Sequence, residues 1–94
     1  MPYRFSFDDP ERTKWQNPKS ILKDLGLEAG NTFIDMGCGQ GFFALPAAEI
    51  VGPNGKVYAI DTNREAVRIL KRKAKERGLT NLNAHVGIAE EDSN

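Results

Sequence analysis

The chain has one cysteine, Cys38, and one histidine, His85. A single thiol excludes an internal disulfide, which fits a reducing, cytoplasmic setting. A lone imidazole with no cysteine or acid cluster around it offers neither a metal site nor a catalytic triad, so His85 reads as an ordinary strand residue. Thirteen basic and thirteen acidic side chains leave no net charge, so the whole molecule exerts no general pull on nucleic acid or on an anionic membrane. No apolar run approaches the roughly 20 residues that a membrane span needs. The first eight residues, Met-Pro-Tyr-Arg-Phe-Ser-Phe-Asp, have no apolar core of the kind that marks a secretory leader. Repeats and low-complexity tracts are absent as well. With 94 residues, one domain is the most that can form.

Glycine, by contrast, is concentrated where it matters. Residues 32–36, Thr-Phe-Ile-Asp-Met, read as a buried strand that stops at Gly37. Gly37, Gly39 and Gly41 follow within five residues, so the backbone there is free to take positive φ and a ligand can approach the main chain closely. The apolar run 42–50 then reads as a helix whose amino-terminal N–H groups and dipole point back at that ligand. Asp35 stands at the strand tip, where its carboxylate suits a cation. A dinucleotide fingerprint, Gly-x-Gly-x-x-Gly, fails from Gly37, which meets Phe42, and is met from Gly39 only in its alanine variant at Ala44. An acid just before the turn also suits a pyrophosphate poorly.

Further along, 56–60 reads as a second buried strand ending on Asp61, about 20 residues beyond the glycines, where an acid can accept both hydroxyls of an adenosine ribose. Thr62-x-x-Glu65 has the form of a capping box, and Ala66, Val67, Ile69, Leu70 and Ala74 form the buried stripe of a helix that stops at Gly78. Arg64, Arg68, Lys71, Arg72, Lys73, Lys75 and Arg77 fall on its outer side and read as a solvated face, with a nucleic-acid partner the minor alternative. A third strand is expected over 83–86. Earlier in the chain, Asn17 and Pro18 open a short helix with Ile21, Leu22 and Leu25 on one face and Gly26 as its stop. Residues 1–17 read as an arm punctuated by prolines, whose Phe5, Phe7 and Trp15 pin it to the core; Tyr3, Arg4 or Trp15 are lid candidates.

Asp-x-Gly-Cys-Gly-x-Gly after an apolar strand, 35–41, resembles the first motif of the class I S-adenosylmethionine-dependent methyltransferases. The segments 9–18 and 42–48 are similar to the quinone-biosynthesis, small-molecule members of that family. The resemblance implies a Rossmann-like β-α-β-α-β half of a doubly wound parallel sheet over 18–94, with S-adenosyl-L-methionine as cofactor and S-adenosyl-L-homocysteine as product. It implicates Asp35 as partner of the cofactor's ammonium group, Gly37, Cys38, Gly39, Gly41 and Phe42 along its path, and Asp61 and Thr62 at the ribose. Adenine falls to Ile88 and Ala89. The family's third strand commonly ends in Gly-Asp-Ala, and this chain has Gly87-Ile88-Ala89. Ile88 cannot accept the hydrogen bond that the family's acid takes from adenine, leaving Ala89 N–H, Glu90 or Asp92 to serve.

The resemblance covers the first half of the family's fold only. The acceptor site and any catalytic base lie later in the family, so the catalytic residues are unknown and the chain alone is expected to bind weakly and catalyse little. Right-handed crossovers from strand one to two to three put both connecting helices on one face. The opposite face and the edge of strand one are then left uncovered, and association with a second copy or a completing chain is expected there. Two other readings stay open: half of an NAD-dependent oxidoreductase, and a non-catalytic assembly module.

Overall fold

The computed structural model describes residues 17–87. The expectations for the aromatic arm, and those for Ile88, Ala89, Glu90 and Asp92, lie outside the described residues. The elements run α1 (Pro18–Asp24), β1 (Thr32–Met36), α2 (Ala44–Val51), β2 (Lys56–Asp61), α3 (Arg64–Glu76) and β3 (Leu82–Val86). The three strands form one parallel sheet in the order β1-β2-β3, so sheet order follows chain order. Register places Asp35 beside Ala59, Met36 beside Ile60, and Asp61 beside Val86, which aligns the carboxyl ends of all three strands. This is the half-wound α/β architecture expected from the pattern of elements.

Each helix stops for an identifiable reason. In α1 the Asn17 side chain accepts from the Ser20 N–H at 2.8 Å, with Pro18 at the first helical position. At its end Gly26 N–H reaches Lys23 O and Leu27 N–H reaches Leu22 O, both at 3.0 Å, with Gly26 at φ +99°. That is a Schellman closure, and the Leu22–Leu27 apolar pair that accompanies it belongs to the core. Leu25, expected on the inner face, is instead 79% exposed because it is the C-cap, and Leu27 takes the inner position. The same closure ends α3, where Gly78 N–H reaches Lys75 O and Leu79 N–H reaches Ala74 O.

Two helix starts differ from expectation. α2 begins at Ala44, two residues after Phe42, because residues 41–43 form a turn in which Leu45 N–H reaches back to Gly41 O at 3.1 Å. Pro46 therefore sits in the first turn, where a missing N–H costs no helical bond. At α3 the cap is Asn63, whose side chain accepts from Ala66 N–H at 3.1 Å, and Thr62 does not form the capping box. Asp61 sets this register by accepting the Asn63 N–H at 2.8 Å, and Glu65 turns to Arg68 instead of the cap.

The core lies between one face of the sheet and the helices. Val57, Ala59 and Ala84 from the strands meet Ala44, Leu45, Ala47, Ala48, Val51, Val67, Leu70 and Ala74. The opposite face carries Ile34 and Met36, which are 61% and 71% exposed, so the expected buried first strand is buried on neither count at these positions. The cause is topological, since both crossover helices share one face and, among the described residues, β1 pairs only with β2.

One polar residue joins elements far apart in the chain. Asn81, at the mouth of β3, donates from its side-chain nitrogen to Ala48 O at 2.9 Å and Gly52 O at 2.8 Å, closing two carbonyls at the end of α2. Alanine at this position leaves both carbonyls without that donor. Asn81→Ala is expected to destabilise the fold by about 1–3 kcal/mol, read as a lower denaturant midpoint at unchanged slope.

Candidate functional site

The site is built where β1 and β2 end. After Met36 the backbone runs through Gly37, Gly39 and Gly41 at φ +79°, +56° and +97°, conformations that L side chains rarely adopt. Space around them differs. A Cβ on Gly37 or Gly39 would meet nothing within 4 Å, whereas one on Gly41 would collide with Leu70 Cδ1 and lie 3.0 Å from Leu45 Cγ. Gly39 keeps its outer side open to an approaching group, and Gly41 lets the turn pack onto α3.

The loop amides are already engaged. Gly37 and Cys38 N–H both reach Ile60 O, at 2.6 and 3.0 Å, and Gly41 N–H reaches Cys38 O at 3.0 Å. Gly39 N–H donates to Asp61 Oδ2 at 2.8 Å. The turn spends the Gly37, Cys38 and Gly39 amides on holding itself to β2. What the turn presents outward at Gly39 is a surface without a side chain.

The two aspartates are held differently. Asp61 accepts from Asn63 N–H and Gly39 N–H, and these amides keep its carboxyl below the usual range despite the opposing effect of burial. Two carboxylate oxygens carry about four lone-pair sites, so two amides leave acceptor capacity for further donors. Asp35, half-buried on the helix side of the sheet, has its carboxyl raised, first by burial and then by the charge of Asp61. This arrangement suits a positive charge beside Asp35 and hydroxyl donors beside Asp61. Cys38 is buried, and burial, then Asp35 and Asp61, push its thiol up to about 11, so it stays protonated at neutral pH and is no nucleophile.

The structure brings Asp35, Gly37, Cys38, Gly39, Gly41, Asp61 and Thr62 to one end of the sheet, with Phe42 in the turn leading to α2. Phe42 and Phe43 meet edge to face, with ring centroids 5.0 Å apart. Gly87 also reaches this end, its N–H donating to Asp61 O at 2.9 Å. Its neighbour Ile60 explains why glycine stands there: a Cβ would lie 2.5 Å from Ile60 Cγ2. Sequence reasoning missed this role and the Gly39–Asp61 tie, because both depend on the register between strands. Among the described residues, no group of three His, Cys, Asp or Glu side chains converges as a metal site, and no helix is long and apolar enough to cross a membrane.

A parallel sheet wound β1-α2-β2-α3-β3, with a glycine turn after the first strand and an acid at the tip of the second, defines the first half of a Rossmann-like cofactor-binding fold. A family model described as "Methyltransferase domain" matches residues 27–93, and the chain belongs to this family of class I S-adenosylmethionine-dependent methyltransferases. The demethylmenaquinone methyltransferase of Geobacillus stearothermophilus is 33% identical over 69 residues, which cover 73% of this chain and 29% of that protein. A probable cobalt-precorrin-6B C(15)-methyltransferase (decarboxylating) of Pyrobaculum aerophilum is 45% identical over 67 residues, 71% of this chain and 34% of that protein. A crystal structure of an S-adenosylmethionine-dependent methyltransferase from Aquifex aeolicus superposes with a TM-score of 0.75 at 38% identity, over 86% of this chain and 43% of that one. The chain thus spans less than half the length of each of these proteins.

Proposed function

We propose that this chain is the S-adenosyl-L-methionine-binding half of a methyltransferase domain, acting on a small-molecule acceptor when the rest of the fold is present. The observation that carries the reading is the Gly39–Asp61 tie, which fixes an ionised carboxylate and a side-chain-free turn beside a second, electrostatically unsatisfied acid. Asp35 takes the ammonium group of the cofactor's amino acid end. Asp61, with Thr62 next to it, takes the ribose hydroxyls, while Gly37, Cys38, Gly39, Gly41 and Phe42 line the path between them. When bound, the cofactor supplies an electrophilic methyl on sulfur. The chain's own part is to orient that group and exclude water, since displacement at a methyl carbon needs alignment above all. The demethylmenaquinone and cobalt-precorrin relatives support a small-molecule acceptor. Calorimetric titration with S-adenosylmethionine, S-adenosylhomocysteine and NAD in parallel tests the reading. Binding of the first two alone is the expected result, and NAD binding in their place overturns it.

Asp35 gives this proposal a readout of opposite signs. A carboxyl raised in the fold holds more protons than in the unfolded chain, so stability is lost as pH rises from the unfolded value near 3.8 through the raised one. The penalty is thus larger at pH 7 than in acid. Asp35→Asn is therefore expected to raise the melting temperature of the empty chain at pH 7 and to weaken S-adenosylhomocysteine binding. A lowered melting temperature, or unchanged affinity, refutes the assigned role.

The exposed Ile34 and Met36, and the edge of β1 that is unpaired among the described residues, also support self-association or pairing with a completing chain. In sedimentation at micromolar concentration this chain is expected to run larger than a monomer, and Ile34→Lys to restore the monomer. A wild-type monomer refutes the association.

A further inference from the structure

Away from the strand ends, α3 presents a second feature. Arg64, Arg68, Lys71 and Lys75 recur at i, i+4, i+7 and i+11, which lines them along one side of the helix, and all four are exposed. At 1.5 Å per residue the row is about 17 Å long, with steps of about 4.5–6 Å. Ala66, Val67, Leu70 and Ala74 are buried on the other side and fix the row outward. Glu65 pairs with Arg68, and Glu76 lies 4.0 Å from Arg72. The side chains of Arg64, Lys71 and Lys75 have no ion pair or hydrogen bond among the described residues. These three side chains thus stand uncompensated along the helix, while Glu65 and Glu76 are taken up by Arg68 and Arg72.

At the carboxyl end of this row the surface opens into a hollow of about 290 Å³. Lys71, Lys75 and Thr80 stand around it, and Ala74, Leu79 and Leu82 supply its apolar lining. Ala74 is buried, and Leu79 and Leu82 are half-buried against the core. A solvated helix face accounts for the cations and leaves this recess unexplained.

We propose that the α3 row and its hollow form a docking track for single-stranded nucleic acid, with phosphates along Arg64, Lys71 and Lys75 and one base entering the hollow. A single strand suits the track because a base can enter the hollow only when it is unpaired, while its phosphates follow the cations along the helix. A flat base with an apolar face and polar edges suits a recess with an apolar lining and two lysines at its mouth. A membrane surface suits it poorly. Interfacial helices carry a protruding apolar side, and here the apolar groups are recessed below charged ones. The track begins at Arg64, three residues beyond Asp61, and is independent of what the glycine turn binds.

The test is fluorescence anisotropy of the full chain with labelled decauridylate, without cofactor, from 50 to 200 mM salt. Three phosphate contacts on a single strand give a slope of log affinity on log salt of about −2, so affinity is expected to fall about 20-fold over that range. Lys71→Ala/Lys75→Ala, which alters only exposed side chains, is expected to cut affinity at 50 mM at least tenfold and to flatten the slope by about 1.4, with circular dichroism unchanged. Inorganic polyphosphate of equal charge, which has no base, should compete severalfold more weakly than unlabelled decauridylate. No binding at 50 mM salt, full binding by the double variant, or equal competition by polyphosphate overturns the proposal. Tighter binding to phosphatidylserine vesicles than to the oligonucleotide overturns it in favour of a membrane. Failure here leaves cofactor titration unaffected, so the two readings fall separately.

Discussion

Asp61→Ala is expected to weaken S-adenosylhomocysteine binding by about 100-fold, the loss of two charge-assisted hydrogen bonds to ribose hydroxyls at a partly solvated site. The same substitution frees Gly39 N–H and Asn63 N–H, which Asp61 holds at 2.8 Å each. It therefore also loosens the turn, at a cost of about 1–2 kcal/mol once solvent screening is allowed for. The two effects separate by pH. A carboxyl held below its usual value stabilises the fold above the unfolded value near 3.8 and loses that contribution as pH falls through the lowered one. The stability difference between wild type and Asp61→Ala should thus vanish in acid, and the affinity difference should be measured near neutrality. Asp61→Asn is the finer comparison, since it keeps an acceptor for one amide and removes the charge. Equal affinity of wild type and Asp61→Ala would remove Asp61 from the site.

Gly41→Ala is expected to destabilise the chain by about 2–5 kcal/mol, combining about 1–2 for a side chain at φ +97° with about 1–3 for overpacking. The second part arises because the new methyl would meet Leu70, which is fully buried, and Leu45 beside it. Against a total stability of about 5–15 kcal/mol, such a loss brings the chain close to unfolding. Gly39→Ala is the informative partner. Its φ of +56° lies in the left-handed region and its methyl meets nothing within 4 Å, so the fold should lose only about 1 kcal/mol. Its methyl would instead occupy the open side of the turn and reduce cofactor affinity. Thermal melts and titrations of the two variants should diverge: Gly41→Ala fails as a fold, Gly39→Ala as a site. Two variants that behave alike would show that the glycines are not divided in this way.

The elements were legible because each is announced locally. The β-branched and apolar residues of β1, the Asn17-Pro18 start of α1 and the Gly26 and Gly78 stops depend on neighbours within a turn, so pattern and position agree with the structure. Failures fall where a residue answers to a contact that its own pattern does not announce. Thr62 yields the cap to Asn63 because Asp61 reserves the Asn63 N–H. The loop amides are taken by Ile60 O and Asp61, partners that only the β1–β2 register brings near. Asn81 looks like one loop residue among several, and its hold on Ala48 and Gly52 crosses about thirty positions of chain. The hollow on α3 is another such case, since Leu79 and Leu82 line it only after the Gly78 closure folds the chain back. The positions of Asp35 and Asp61 followed from spacing. Their opposite protonation tendencies did not, because these come from burial and mutual charge.

The match between sheet order and chain order also governs how the molecule is made. Each strand pairs with the one synthesised just before it, so the sheet can grow stepwise as the polypeptide leaves the ribosome, without waiting for a distant segment. The helix-covered side closes with every step. The side bearing Ile34 and Met36 gains area at the same pace and gains no cover from α2 or α3. On that side Ile34 and Met36 stay open to association for as long as α2 and α3 are the only crossover helices in place.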